Sequence, residues 1–439
     1  MTVILSESQS RAIAAIRDWY ETRRRDQQIF RLFGYAGTGK TTITSMAMEA
    51  LGLEPMVASG APSVRATMAT GGLGGVIFAA FTGKAALVMT RRGTPAQTIH
   101  SLIYRVSEAT PEEIARVTDD LATLRRDLPR MGAAERGFAM TRIAQLELRL
   151  QDIHQPKFLI NDQSILRDAD LLVLDEVSMV GEDMARDLIA FGKPILVLGD
   201  PGQLPPIKGE GFFTEAVPDV MLTEVHRQAG DSAILRLATL ARDGRPIPPG
   251  AHDAHVWKMS RHEVHPAQML QGGQVICGTN ATRRWLNTGM KRAAGFGADF
   301  PTGGGEKIIC LKNRHDLGLI NGMFLTLTEV RQDPNDAFAF SATVETEDGT
   351  GIGGRQSLWY GAYADHIAFD HERGRREWQV RRGLIESSWG YAITCHKSQG
   401  SQWENVIVFD DGFGRTAADR NRWLYTAITR AEKGLVILA

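Results

Sequence analysis

Gly34-Tyr-Ala-Gly37-Thr38-Gly39-Lys40-Thr41 constrains this chain more than any other stretch of it. It fits the pattern Gly-x-x-x-x-Gly-Lys-Ser/Thr, follows the apolar run 29–33 and precedes a helical pattern. That setting is what a phosphate loop requires. Glycines let the backbone fold its N–H groups around a β-phosphate, and the helix N-terminus adds its dipole. Gly37, Thr38, Gly39 and Thr42 are the expected cradle, with Lys40 reaching the β- and γ-phosphates and the Thr41 hydroxyl binding Mg²⁺. ATP and Mg²⁺ are the ligands this loop implies.

The loop sits in a repeating pattern. Apolar runs at 29–33, 75–81, 171–174, 195–198, 275–277, 406–409 and 435–438 mostly end in polar or Gly-rich turns, several of them followed by helical patterns. Strands alternating with helices indicate an α/β fold with parallel sheets covered on both faces. Ligands in such sheets sit at the carboxyl ends of the strands. At 439 residues the chain exceeds one ordinary core. Two stretches break the rhythm. From Thr110 the sequence reads T-P-E-E, an N-cap, a Pro at the first helical position and a Glu three residues after the cap. Ile114, Val117, Leu121 and Leu124 follow at helical spacing, and Ile143, Leu146, Leu150 and Ile153 repeat it. This predicts an antiparallel helical hairpin between two strands of the first sheet, either packed on its parent domain or a moving arm. Residues 303–385, rich in Gly, Thr and β-branched side chains, predict a small all-β insert. The stretch between Leu53 and Gly75 reads as a mobile loop.

Other motifs fall at strand ends. Asp175-Glu176 follows Leu-Leu-Val-Leu: the Asp suits Mg²⁺ held through water, and the Glu suits a general base on the attacking water. Gln203, in GDPGQLPPI, can bond both that water and a γ-phosphate oxygen, although Gly-Asp-Pro-Gly-Gln is also simply a good turn. Arg227 in LTEVHRQ and Arg430 in TAITRAEKG are candidates for stabilising charge on the transferred phosphoryl group, each competing with a reading as a solvated surface arginine. The formal net charge of −1 excludes whole-surface attraction to a polyanion, so nucleic acid would need a local basic groove. The three cysteines are far apart, which argues against a disulfide framework or zinc site and for a reducing cytosol. No apolar run approaches the about 18 residues of a membrane span, and the first residues do not read as a signal peptide.

In order, GYAGTGKTT, FTGKAA, TIHSLI, VLDEVSMV, GDPGQLPPI, LTEVHRQ, GYAITCHKSQGSQW and LYTAITRAEKGLVIL resemble the helicase motifs of superfamily 1. The likeness is to its 1B branch, which holds RecD, the phage helicase Dda and the TraA-type helicases, and it runs from Glu7 to the last strand. It implies two RecA-like P-loop lobes: residues 1–103 and 169–222 for the first, 223–302 and 386–439 for the second. Residues 104–168 would be a 1B-like helical insert and 303–385 an SH3-like 2B insert. The resemblance assigns Gln9 to the adenine contact and Lys40, Thr41, Asp175, Glu176 and Gln203 to the first lobe's face of the cleft. Arg227, Gly400 and Arg430 fall on the second lobe's face, the two arginines as fingers. Thr82, Lys84, Thr98, His100, Asn313, Asn321, Thr394, His396 and Ser398 fall on the nucleic-acid track, where hydroxyls and lysines hold phosphates without reading sequence. Phe81 stands where the family usually has Pro and could stack on a base or be core; Trp389 stands where it often has Tyr or Phe. The implied activity is ATP-dependent travel on single-stranded DNA, 5′→3′, with unwinding of tailed duplex DNA. Replication, recombination or phage proteins are the suggested partners, no membrane is involved, and the setting is the cytoplasm of a bacterial or phage-infected cell. The rivals are a nucleic-acid clamp that hydrolyses ATP without unwinding and a small-molecule kinase.

Overall fold

The structure, a computed structural model, describes residues 5–23, 25–56, 74–107, 110–153, 157–206, 211–224, 232–297, 301–332, 339–347, 349–359, 363 and 383–439. The chain starts with α1 (Glu7–Asp18), where the Ser6 hydroxyl accepts from Gln9 N–H at 3.3 Å and the Gln9 carboxamide accepts from Ser6 N–H at 3.0 Å. This reciprocal cap satisfies two N–H groups that the first turn would leave open. There follow β1 (Ile29–Gly34), α2 (Lys40–Leu51), β2 (Leu53–Pro55), β3 (Gly74–Ala80), α3 (Gly83–Arg91), β4 (Ala96–Thr98) and α4 (Ile99–Ile103). The assigned β2 shortens the expected loop at its start, and residues 57–73 of that loop lie outside the described residues.

The next segment, within residues 104–162, is a compact unit of its own. It comprises β5 (Tyr104–Ser107), α5 (Pro111–Asp127), α6 (Ala133–Ile153) and β6 (Lys157–Ile160). Thr110 and Glu113 form the predicted capping box on α5. Val117, Leu121 and Leu146 are the buried seam of the hairpin, with Leu124, Ile143 and Leu150 beside them, as the spacing predicts. The antiparallel β5–β6 pair at its base was not read from the sequence.

The first lobe resumes with β7 (Leu171–Asp175), α7 (Glu182–Ala190), β8 (Ile195–Gly199) and β9 (Val220–Leu222). Its sheet runs β2-β3-β7-β8-β1-β9, with β4 on β3, all pairs parallel. β3, β7 and β8 are apolar because both faces are covered. The order sets the carboxyl ends of β7, β8 and β1 side by side.

The second lobe holds α8 (Ala233–Arg242), β10 (Gly250–Ala251), β11 (Val256–Met259), α9 (Pro266–Gln271), β12 (Gln274–Cys277) and α10 (Asn280–Ala293). A β insert follows: β13 (Glu306–Cys310), β14 (Phe324–Gln332), β15 (Ala339–Thr346), β16 (Gly351–Trp359) and β17 (Ile385–Trp389), which close into a barrel. The lobe ends with β18 (Ala392–Thr394), α11 (Cys395–Ser398), β19 (Trp403–Phe409), α12 (Ala417–Ile428) and β20 (Ala431–Leu438). Its sheet order is β10-β11-β20-β19-β12-β18, parallel except at β10–β11. The two α/β lobes are RecA-like. Lys291 of α10 and Glu306 of β13, both fully buried and 3.2 Å apart, pin the barrel to this lobe. Removing either partner alone would strand a buried charge. Trp389 lies under the Lys291 ammonium at 3.5 Å, so it is part of this junction. The three cysteines are buried and unpaired. Among the described residues no helix is long and apolar enough to cross a membrane.

Candidate functional site

Gly39 turns the phosphate loop into α2 at φ 82°, a left-handed conformation that suits a residue without Cβ. A Cβ there would lie 2.9 Å from the Gln9 amide nitrogen, so the loop and α1 are packed against each other. Gln9, expected at the adenine, is buried; its amide donates to Thr38 C=O at 3.1 Å while its oxygen serves the α1 cap. The Thr38 hydroxyl donates to Tyr35 C=O at 2.8 Å. Gly37 is exposed on the loop, Thr41 is half-buried in the first turn of α2, and Thr42 is exposed. The Lys40 ammonium donates to the carbonyls of Gly34 at 2.5 Å and Tyr35 at 3.3 Å.

Asp175 ends β7 beside this loop. Burial raises its carboxyl to about 6, and the neighbouring Glu176 charge adds to that, while Lys40 opposes both. Glu176 has φ 54°, and no other non-glycine residue among those described has positive φ. Left-handed backbone at such a residue costs about 1–2 kcal/mol, strain of the kind found at working sites. At the end of β8, Asp200 is buried and accepts from Gly202 N–H at 2.9 Å. Burial raises its pKa and Lys40 lowers it, so this carboxyl too belongs to the phosphate site. Gln203 is buried, and its side-chain oxygen has no hydrogen-bond partner among the described residues. Asp200 escaped the sequence reading because GDPGQ reads first as a turn; a carboxylate closing an apolar strand was the available signal.

The second lobe meets this edge through α12. Tyr425 donates to Asp200 at 2.6 Å and accepts from Ala36 N–H at 2.9 Å. Thr426 accepts from Leu204 N–H at 2.9 Å. Arg430 is buried, and its guanidinium donates to Thr426 C=O, Ser401 C=O and the Thr429 hydroxyl at 3.1–3.2 Å, all in its own lobe. Arg227 lies outside the described residues. Gly400, expected at the nucleotide, packs on the start of α3: a Cβ there would lie 2.5 Å from the Thr82 hydroxyl oxygen.

The residues assigned to a strand track fall into two groups. Thr82 caps α3 by accepting from Ala85 N–H at 3.2 Å, and Thr98 caps its own turn by accepting from Ser101 N–H at 3.1 Å. His100 is half-buried, edge-on to Phe81 with ring centres 5.9 Å apart, and burial lowers its pKa. Phe81 is thus a partly covered ring rather than core. Lys84 pairs with Glu347 at 3.4 Å and lies 4.9 Å from the ring centres of both Phe324 and Trp403. Burial lowers its pKa, Glu347 raises it. In the second group, Asn313 accepts from Asn321 N–H at 2.7 Å, and the Asn321 side-chain oxygen accepts from Lys397 at 2.6 Å. Lys397 was not singled out from the sequence, although it stands inside CHKSQG. Thr394 and His396 are half-buried, His396 lies edge-on to Phe413, and burial lowers its pKa. Ser398 is fully buried and donates to Cys395 C=O at 2.7 Å, so its hydroxyl faces its own turn and offers no surface to a strand here.

A nucleotide-type loop, an acid pair and a buried glutamine at adjacent strand ends, faced by a second RecA-like lobe, define a P-loop two-lobe protein. The AAA-domain family pattern matches residues 5–265, and that of the UvrD-like helicase C-terminal domain matches residues 390–438. The chain belongs to the AAA-domain family. The ATP-dependent RecD2 DNA helicase of Deinococcus radiodurans is 26% identical over 279 residues, which is 60% of this chain and 35% of that protein. The chain therefore spans about a third of the length of this curated relative. A structure of two Pif1 helicases on forked DNA shares 17% identity with a TM-score of 0.52, covering 100% of this chain and 92% of that one. A Bacteroides Pif1 bound to single-stranded DNA gives 17%, 0.52, 100% and 93%. Identity this low shows the fold alone. Together these matches bear out the superfamily 1B resemblance, RecD-, Dda- and TraA-like, read from the motifs, and add Pif1 to the proteins of similar fold.

Proposed function

We propose that the chain is an ATP-driven DNA helicase that moves 5′→3′ on single-stranded DNA, opening tailed duplexes by closing and reopening its lobes. The observation that carries this reading is the junction itself: Lys40, the Asp175–Glu176 pair and the Gln203 turn share one sheet edge, and α12 of the other lobe is bonded to that edge through Tyr425 and Thr426. The relatives, an ATP-dependent DNA helicase and Pif1 structures holding single-stranded or forked DNA, support it.

On this reading Lys40 leaves the Gly34 and Tyr35 carbonyls to bind the β- and γ-phosphates. Glu176 accepts the proton of the attacking water, which the Gln203 carboxamide orients. Arg430 and Arg227 stabilise charge on the transferred group, which requires Arg430 to exchange some of its three own-lobe acceptors for phosphate oxygens. The donor set fits Mg²⁺: a Thr41 hydroxyl at a helix start, and an Asp175 carboxylate whose burial beside Glu176 favours a cation nearby. When bound, that ion neutralises charge on the β- and γ-oxygens. Thr82, Thr98, Thr394 and the lysines Lys84 and Lys397 would hold strand phosphates, with the lobes gripping differently as the cleft opens and closes.

The test is ATP turnover with and without single-stranded DNA, together with displacement of a strand from a 5′-tailed duplex. Strand-stimulated turnover with displacement is expected; stimulation without displacement would replace the helicase with a clamp. Lys40→Ala should abolish turnover in both conditions, and retained turnover would show that the phosphate loop is misassigned.

A further inference from the structure

Helix α12 reaches the phosphate edge with a side chain that carries no charge and that no motif role covers. Tyr425 is 2% exposed, and its single hydroxyl serves two first-lobe groups at once, accepting from Ala36 N–H of the phosphate loop and donating to Asp200. One residue on, Thr426 holds Leu204 N–H. Gln399, from the turn after α11, donates to Leu204 C=O at 2.9 Å. Both backbone groups of the residue after Gln203 are therefore held by the second lobe, while Asp200, three residues before Gln203, is held by Tyr425. The Gln203 turn is fixed on both sides, and its side-chain oxygen, buried and without a hydrogen-bond partner among the described residues, is open to a ligand. Arg430 follows on the same stretch of chain and rests on Thr426 C=O.

We propose that Tyr425 is a positioning residue, which sets the phosphate loop and the Gln203 turn for hydrolysis and passes their state to α12; this rests on the nucleotide reading above. Ala36 N–H is one of the loop amides that a phosphate would recruit. A bound phosphate and Tyr425 thus compete for, or must share, one donor. The bond to Asp200 is harder to give up, because a buried carboxylate left without a donor costs more than a neutral group would. As the loop amide turns to phosphate, Tyr425 and Asp200 must move as a pair, and the last turn of α12, which leads into Arg430, moves with them. Gly202 allows this closeness: a Cβ there would lie 2.9 Å from the Tyr425 ring.

Tyr425→Phe keeps the ring and removes both bonds. Nucleotide Kd, read with a fluorescent ATP analogue, is expected to stay level or tighten, because Ala36 N–H is released. At the same time kcat should fall about tenfold, the size of one hydrogen bond to a charged group. Asp200→Asn should show the same split, and the double variant should be no slower than the slower single. Were Tyr425→Phe unable to fold, Thr426→Val, which removes the Leu204 acceptor, is expected to lower kcat without raising Kd. Turnover within twofold of wild type, or equal losses in binding and kcat that add in the double variant, would overturn the proposal. Wild-type turnover that single strands fail to raise would instead overturn the functional reading. The tyrosine is then judged on basal kcat, where the same drop supports its role and unchanged kcat overturns it.

Discussion

Gly400→Ala separates what the second lobe needs to fold from what the two lobes need to meet. Gly400 has φ 73°, and a Cβ there would lie 2.5 Å from the Thr82 hydroxyl oxygen and 3.0 Å from the Ala85 Cβ. Neither neighbour yields easily. The Thr82 hydroxyl caps α3 on Ala85 N–H at 3.2 Å, and the Ala85 Cβ cannot rotate away. Left-handed backbone costs Ala about 1 kcal/mol, and that cost belongs to the second lobe whatever the lobes do. The overlap, worth about 1–3 kcal/mol as overpacking, exists only when the Gly400 turn and the start of α3 are pressed together. If turnover requires that approach, kcat with saturating single-stranded DNA should fall about five- to hundredfold, while unfolding stability drops by only about 1 kcal/mol. Steady-state turnover and a denaturant titration on the same preparation read the two terms. A normal kcat beside the lowered stability would refute the reasoning, because it would mean that the Gly400–Thr82 contact plays no part in the cycle.

Arg430→Ala should keep nucleotide binding and cut hydrolysis by at least about a hundredfold; it should also lower the unfolding temperature, since it strips three hydrogen bonds inside the lobe. Glu347→Gln releases Lys84, so fluorescence anisotropy should show single-stranded DNA binding up to about fivefold tighter. The log–log salt slope, about −0.7 per neutralised phosphate, should steepen by no more than one phosphate's worth. Lys307 lies over the Phe324 ring at 4.6 Å, and burial holds its ammonium down to about 8, from an ordinary 10.5. Below about 8 both folded and unfolded chains carry that proton and the fold bears the full cost of burying it. Between about 8 and 10.5 the unfolded chain binds more protons, so stability rises with pH. Denaturant midpoints at about pH 7.5 and 9.5 should show that rise reduced in Lys307→Met.

The legible part of the molecule was what neighbouring residues decide. An apolar run ending in Gly34–Thr41 fixes a strand, a loop and a helix within one short segment, and Thr110–Glu113 announces α5 through a cap closed over three residues. The β5–β6 pair escaped because four-residue strands show no usable period. The contacts that join distant parts escaped for a different reason. Lys84 and Glu347 stand 263 residues apart, and Tyr425 and Asp200 stand 225 apart. Such pairs are matched by shape and hydrogen bonding, and neither partner carries a local pattern. The resemblance supplied residue types for the strand track, yet Ser398 was judged by its type, and its burial depends on how α11 packs. Lys397, beside it, is only half-buried and reaches the Asn321 side chain, and it was passed over for its shorter neighbours.

The bonds that cross between the lobes at the nucleotide edge are of a kind that a nucleotide can switch. Three of them are neutral: Ala36 N–H to Tyr425, Leu204 N–H to Thr426, and Gln399 to Leu204 C=O. Among the described residues, the Tyr425 bond to Asp200 is the one of these four that involves a carboxylate, and the Arg242 guanidinium adds a cation–π contact 3.7 Å over the Tyr35 ring. Neutral hydrogen bonds contribute about 1 kcal/mol each and one to a charged group about 2, so this set amounts to about 5 kcal/mol. Swinging a two-state equilibrium from almost fully open to almost fully closed takes about 5.5 kcal/mol. A ligand bound at about micromolar affinity releases about 8 kcal/mol, enough to set that balance where most of it is made only in the closed state and, once lost, to let it reverse. A fully buried ion pair like Lys291–Glu306 would hold the lobes too firmly for such a cycle. That pair instead fastens the barrel to its own lobe, and the crossing at the phosphate edge is left to groups weak enough to part on every turnover.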